Sequence, residues 1–382
     1  MNTVPMITPR SITGIRGLDS KPIFFVQMNR SPTPNLVIKG EYDKGTLSQK
    51  DVEVSISWAS KLMKNVQHSQ VNTKVMTPAE IQVFKAAAQA EFTGKKDKSK
   101  QLDFACGAMK VTWVKMPVVH NLSDADFTRE VEVKSSLGDT SYTSRVFDLI
   151  QFKETIRKFS DDAVWLELGR VLAVDVFNGN NDRFDLKTGR WSNTGNVMFL
   201  SAGPTRVIGL DTFDPESGGS TSNLNMRGNV FPELRILSDH FMRRDFAAKC
   251  TRSVGEVLAL WARDEHVNSF KLKVDSADGP RVMELSSGLL PKLFEPFTDP
   301  LEQGLAQGSF ALQAYLQQKV RQYAAQAPAV AAAPAPAPAP RGFAANHRLP
   351  PARPGALAPG LRPATAKTIP PAILDRMRFL GW

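Results

Sequence analysis

The stretch VDVFNGNNDRFD, Val174–Asp185, decides how this chain is read. It ends a long apolar segment, AVWLELGRVLAVDVF, in an asparagine-rich turn that carries Asp182 and Arg183. NTGNVMFL (Asn193–Leu200) and VIGLDTFD (Val207–Asp214) follow closely. The segment before the turn is apolar nearly all round, as a helix buried on every side would be. NVMFL and RVIGL read as two short strands, with SAGPT between them as the turn. The order is therefore a buried helix, a loop aspartate, a hairpin opened by Asn196 and a strand closed by Asp211. An ordinary hairpin with polar flanks explains Asn196 and Asp211 taken alone, but not their arrival together behind Asp182.

Working outward, 382 residues with 42% hydrophobic content supply a substantial core and room for two or three domains. No apolar run approaches the roughly 18–20 residues of a membrane span, and the start MNTVPMITPRSITG shows no basic segment leading into an apolar one. Two cysteines, Cys106 and Cys250, fit a reducing compartment rather than a disulfide framework, and the five scattered histidines show no zinc spacing. The expected location is cytoplasmic, with export into a host cell compatible with the Thr- and Ser-containing start. The net charge is +10, of which +6 falls after Gln326: seven basic residues against Asp375. The same tail holds twelve of the 26 prolines, including APAVAAAPAPAPAP, and reads as a flexible, semi-rigid linker. Its end, PPAILDRMRFLGW, regains apolar residues; a frayed terminus is expected there, a docking segment being the alternative. With the charge in the tail and no aromatics beside it, no nucleic-acid partner is expected.

The first hundred residues read as strands followed by helices. SITGIRG and PIFFVQM form a hairpin, NLVIKG is a third strand ending in Lys39, and a helix with Val54, Trp58, Leu62 and Val66 on one stripe follows, Ser48 being its candidate cap. Glu53 lies near the start of that helix. This is the order of a kinase amino-terminal lobe, in which a strand lysine holds the nucleotide phosphates and a helix glutamate holds the lysine. Glu41 is a rival partner for Lys39. TPAEIQVFKAAAQAEF is a second, well-capped helix. FACGAMKVTWVKMPVV is β-rich, and position alone places Val114 to Met116 near the adenine edge between two lobes. Gly14 and Gly17 offer a reduced phosphate-covering hairpin in place of the absent G-x-G-x-x-G.

Phosphoryl transfer requires a carboxylate that orients the attacking hydroxyl and accepts its proton, and oxygen ligands for magnesium. Asp182, Asn196 and Asp211 stand in the order that kinases use for these roles. Thirteen residues separate Asp182 from Asn196 where ordinary protein kinases have four, so Phe184 to Thr194 must loop out and return. Asn193 is an alternative ligand, and Asn196 is preferred because it directly begins the apolar strand.

The run LGRVLAVDVFNGNNDRF, then Trp191 and the Gly195-Asn196 pair, then VIGLDTF, resembles the catalytic segment of the actin-fragmin kinase family, atypical kinases related in fold to protein kinases and phosphoinositide kinases. The resemblance covers Leu168 to Phe213 and extends more loosely to GLDSKPIFFVQ and NLVIKGE with the helix behind it. It implies Asp182 as catalytic base, Asn196 and Asp211 as metal ligands, Lys39 paired with Glu53 on the phosphates, ATP and Mg2+ as cofactors, and a protein acceptor such as actin. A lipid kinase would share the acidic residues, yet TFDPESGGSTSNLNMR after Asp211 has two acids before its only arginine, poorly suited to an anionic headgroup. A pseudokinase acting as a binding module would have lost the lysine or a metal ligand, and none is missing. The expected architecture is a bilobal α+β kinase-like fold over roughly Ser11 to Ala325. Its β-rich N-lobe would span residues 1–118, its mainly helical C-lobe 119–325, and a disordered Pro/Ala-rich tail 326–382.

Overall fold

The computed structural model describes residues 4–17, 22–42, 49–67, 72–94, 111–119, 122–125, 127–134, 141–200, 206–209, 232–276, 279–326 and 369–382. Asp211, Ser48, Cys106, the loop tip after Gly17 and the Pro/Ala-rich stretch lie outside them.

The expected first three strands are present as β1 (Ile12–Gly17), β2 (Ile23–Met28) and β3 (Leu36–Tyr42). Helix α1 (Gln49–Gln67) follows, then the short β4 (Lys74–Val75), α2 (Pro78–Phe92) and β5 (Val111–Pro117). The five strands form one antiparallel sheet in the order β1-β2-β3-β5-β4. Register sorts its two faces. Lys39 stands opposite Val114, and Val114 packs with Val52, Ile56 and Ala59 of α1. Ile38 stands opposite Lys115, and Phe24, Val26, Leu36, Ile38 and Trp113 form the other face with Phe84, Ala88 and Phe92 of α2. Because side chains alternate along a strand, a single sheet meets a different helix on each side. The start of α2 is fixed by a full capping box, Thr77 with Glu80, and Pro78 opens its first turn.

After β5 the chain passes through Pro117–Val119 to β6 (Leu122–Asp124) and the hairpin β7 (Thr128–Lys134) and β8 (Ser141–Phe147). Helices α3 (Leu149–Phe159) and α4 (Asp162–Asn178) follow, capped by Asp148 and Asp161. Strands β9 (Met198–Leu200) and β10 (Arg206–Ile208) form the expected hairpin, and β6 adds to its edge to make a three-stranded sheet. The remainder is α5 (His240–Asp264), the hairpin β11 (Ser269–Ser276) and β12 (Gly279–Ser286), the short α6 (Leu290–Phe294), α7 (Thr298–Gln326) and α8 (Pro371–Leu380).

Helix α4 is buried nearly all round, as its composition predicts. It crosses α7 at close range because small residues meet there: a Cβ added at Gly169 would lie 2.3 Å from the Leu301 carbonyl oxygen, and one at Gly304 would lie 2.1 Å from that of Leu166. The cores do not divide at residue 118. Trp58, Leu62, Met63 and Val66, on the second half of α1, belong to the large core built around α4, α5 and α7. Helix α1 thus covers the amino-terminal sheet with its first turns and enters the carboxy-terminal core with its last.

The end of the chain departs from a frayed terminus. In α8, Ile373, Met377 and Leu380 are buried in the large core, and Arg376 donates to the Phe177 carbonyl at the end of α4. Trp382 stacks on Phe177 with ring centroids 5.8 Å apart and an interplanar angle of 2°. The spacing i, i+4, i+7 of those three apolar residues places them on one helix face, and Arg235 lies over the ring of Phe379 beside it. Residues 369–382 thus form a docked segment, not the end of one flexible tail over 326–382.

Candidate functional site

The loop after α4 is built from polar side chains that each fix a backbone group. Gly179 ends the helix in the left-handed conformation, φ 73°, which glycine adopts without Cβ strain. Asn180 uses both ends of its amide: Nδ2 donates to Asp175 at 3.1 Å, and Oδ1 accepts from the Asp182 backbone N–H at 3.0 Å. Asn181 Oδ1 accepts from the Leu186 N–H at 2.9 Å. These bonds turn the chain so that Asp182 is left half-buried, its carboxylate directed at the hairpin.

The segment between Asp182 and Asn196 does loop out and return. Ser192 N–H donates to the Arg183 carbonyl at 3.1 Å, Phe184 and Trp191 pair across a β-bridge, and their rings stack at 6.2 Å. The loop leans on α5, where the Trp191 N–H donates to Ser253 Oγ at 2.9 Å. Its ends therefore meet, and Asn196 arrives beside Asp182: Asn196 Nδ2 donates to Asp182 Oδ2. Asn193, the alternative ligand, caps a turn of 3-10 helix (Thr194–Asn196) by accepting from the Gly195 N–H at 3.1 Å. Its oxygen is committed to that turn, so Asn196 is the residue the fold presents to Asp182.

Arg183 holds the two ends together. It is fully buried; Nε donates to the Asn196 carbonyl at 2.8 Å, and Nη1 pairs with the Asp175 carboxylate on the last turns of α4. Burial pushes the Asp175 carboxyl up, and the Arg183 guanidinium and the Asn180 amide act against it. A planar guanidinium can satisfy a carboxylate and a carbonyl at once, which an ammonium on a flexible stem does less rigidly. Arg183 and Asp175 are the residues that sequence reasoning left out. The available signal was Asp175 itself, an ionisable residue inside a segment apolar on every side, where a charge requires a partner.

The hairpin is anchored from behind. Glu167 of α4 accepts from the Val207 N–H at 2.8 Å and from Arg206 Nε at 2.9 Å. Gly209, two residues short of Asp211, is pressed between Met63 of α1 and Val171 of α4: an added Cβ would come within 2.6 Å of Met63 Cε. The strand that leads to Asp211 therefore ends where α1 meets α4. Asp211 itself lies outside the described residues.

The expected pair of Lys39 with Glu53 is not the one formed. Lys39 Nζ lies 2.9 Å from Glu41 Oε1, both side chains being largely shielded. The reason is the period of a strand: residues two apart share a face, so Glu41 lies beside Lys39 with no helix needed to deliver it. Lys39 and α1 nevertheless share one face of the sheet, by the register of β3 with β5. A strand lysine braced by a helix glutamate does exist, on the opposite face: Lys115 of β5 pairs with Glu80 of α2 and donates to the Pro5 carbonyl at 3.3 Å.

Gly14 and Gly17 lie on β1, Gly14 at an irregularity in its pairing with β2. Neither has a positive φ, and an added Cβ at Gly14 would meet the flexible Gln27 side chain. The hairpin of the expected phosphate cover is present, but the backbone does not demand glycine at either position. Val114, expected near the adenine edge, is a core residue beneath α1, and Met116 packs partly buried beside it.

Asn196 keeps its amide carbonyl, an oxygen of the kind magnesium accepts, while its N–H2 is turned to the Asp182 carboxylate. Among the described residues no cluster of three or more His, Cys, Asp or Glu forms a metal site. No described helix is long and apolar enough to cross a membrane. Compared with protein-family models, with curated proteins and with solved structures, the chain matches none.

Proposed function

We propose that the chain is a kinase-like phosphotransferase that uses MgATP and delivers the γ-phosphate to a protein hydroxyl. The observation that carries this reading is the contact of Asn196 with Asp182, made across an inserted loop and locked by Arg183. A surface hairpin has no need to bring these two side chains together, whereas phosphoryl transfer needs a base and a metal oxygen ligand side by side.

In this reading Asp182 orients the acceptor hydroxyl and takes its proton as the hydroxyl oxygen bonds to the γ-phosphorus. The bond from that phosphorus to the β–γ bridging oxygen breaks, and ADP departs. Asn196, with Asp211 three residues after β10 in the sequence, would hold the magnesium, which when bound neutralises charge on the β- and γ-phosphates. Lys39, on the third strand of the sheet as in protein kinases, meets the phosphates with Glu41 as its brace. Arg183 and Asp175 are positioning residues that set the distance between Asp182 and Asn196.

The resemblance to the actin-fragmin kinase family makes actin or an actin complex the first acceptor to test. The acidic residues Asp214 and Glu216 in the sequence after Asp211 favour a protein surface over an inositol phosphate headgroup. The test is incubation with labelled ATP and magnesium in parallel with actin, a eukaryotic lysate and phosphoinositide vesicles. Label in protein is the expected result; label in lipid alone favours the lipid-kinase reading, and label in neither rejects phosphotransfer to these classes.

A further inference from the structure

A second charged site lies between α1 and α7. Trp58 and Lys61 stand one turn apart on α1, with Lys64 beside them; Tyr315, Lys319 and Tyr323 stand four apart along one face of α7. Together they line a groove of about 520 Å3, the size of a small-molecule site. Its floor is aromatic and its rim cationic. Lys61 Nζ lies 4.9 Å from the Trp58 ring centroid, and Lys319 Nζ lies 5.4 Å from that of Tyr315 while donating to Gln322 at 3.0 Å.

No carboxylate lines this groove, and among the described residues none lies at ion-pair distance from Lys61, Lys64 or Lys319. Elsewhere Arg157, Arg206, Arg243, Arg244, Lys249 and Arg378 each have an acidic partner. Burial against the helix pair, with repulsion from Lys319, pushes the Lys61 pKa down. Burial likewise raises that of Tyr315, which stays a neutral hydroxyl donor. Like charges held together on two packed helices cost free energy that a multivalent anion between them would recover. Ammonium groups bind phosphate as point charges, and tyrosine hydroxyls can donate to the remaining oxygens.

We propose that the α1–α7 groove is a binding site for a compact oligophosphate, held by Lys61, Lys64 and Lys319 with the tyrosine hydroxyls, and separate from the nucleotide site. It is independent of the phosphotransfer reading, since none of its residues belongs to that machinery.

The experiment titrates inorganic tripolyphosphate into the full chain by calorimetry, beside Lys61→Gln/Lys319→Gln, Lys39→Ala and Lys292→Gln variants. A parallel arm measures sedimentation with phosphatidylcholine vesicles with and without a phosphoinositide. The expected result is tripolyphosphate binding that weakens by about tenfold or more in the double variant and persists in Lys39→Ala and Lys292→Gln. Vesicle binding that is lost in the same double variant would assign the oligophosphate to a lipid headgroup, and its absence would assign it to a soluble ligand. No tripolyphosphate binding, or binding lost in Lys39→Ala and kept in the double variant, overturns the proposal. The double variant changes exposed or half-exposed side chains, so an unchanged thermal midpoint checks that it remains folded.

Discussion

Two lysine–glutamate pairs occupy opposite faces of the amino-terminal sheet, and they are built differently. Lys115 and Glu80 join a strand to a helix, and the Glu80 carboxylate is held from several sides. Glu80 accepts from Lys115, from the Thr77 N–H at 3.0 Å and from the Ile7 N–H at 3.4 Å. Lys39 and Glu41 are neighbours on a single strand and need no second element to meet. The first pair faces the core of α2, which is separate from the large core; the second faces α1, which enters it. A buried ion pair that spans two elements fixes how they dock. A pair formed within one strand does not by itself dock two elements.

That contrast is broken most forcefully at Glu80. Replacing it with alanine strands the Lys115 ammonium and removes half of the α2 capping box, so a loss of about 3–5 kcal/mol in urea unfolding is expected. Lys39→Ala should cost less, about 1–3 kcal/mol by the same measurement, because it leaves a shielded carboxylate without this partner but removes no helix cap. Equal losses at the two sites would erase the distinction. The acid limb of stability should report the same pair. Burial alone would raise the Glu80 carboxyl, but the hydrogen bonds from Lys115 and from the Thr77 and Ile7 N–H groups outweigh it and hold the carboxyl below its ordinary value. The stabilisation from a depressed carboxylate is complete above the unfolded pKa, about 4.3, and is lost as the pH falls through the lower folded value. Glu80→Gln should flatten the stability profile over that window, and an unchanged profile would mean that Glu80 does not contribute to it.

Removal of residues 369–382 comes next in size. Ile373, Met377 and Leu380 each bury roughly 1.5–3 kcal/mol of side chain, offset in part by the cost of ordering α8. A net loss on the order of 3 kcal/mol is expected, with Phe177 newly exposed at the start of the candidate loop. Differential scanning calorimetry of the truncated chain would check it. An unchanged midpoint would mean that the helix contributes nothing to the fold.

The smallest effect expected is the coupling of Lys39 to its neighbours. A double-mutant cycle on nucleotide binding should give an interaction energy of about 0.5–1 kcal/mol between Lys39 and Glu41 and none between Lys39 and Glu53. Coupling to Glu53 alone would restore the helix brace and reassign the pair seen on the strand.

The parts of the fold that were legible are those whose signal is local. The strands β1 to β3, the capped α2, the all-round apolar α4 and the β9–β10 hairpin follow from periodicity, turn residues and caps. The hairpins β7–β8 and β11–β12 were not expected. Among the described residues each pairs only within itself, and with few apolar residues in TREVEVK or SFKLKVDS the hydrophobic period is faint. Helix α8 carries a readable stripe, but its dock is the end of α4, nearly two hundred residues away in sequence, and no local pattern announces a complementary surface. The site divides in the same way. The order Asp182, Asn196, Asp211 is visible in the chain, whereas the return of the inserted loop depends on Arg183 reaching both Asp175 and the Asn196 carbonyl, a tertiary event. The choice of Glu41 over Glu53 turned on strand period, which the sequence contained but which a kinase-like order of elements overrode.

The central claim is that Asp182 and Asn196 form one phosphotransfer centre, and Asp182→Asn tests it most directly. Nucleotide binding and transfer from labelled ATP would be measured on the same preparation, beside the parent chain and with circular dichroism to check the fold. The account predicts transfer reduced by about two orders of magnitude or more, since a positioned base contributes roughly 10²–10⁴-fold, with nucleotide affinity nearly unchanged. Transfer at the parent rate in a folded Asp182→Asn variant would contradict it.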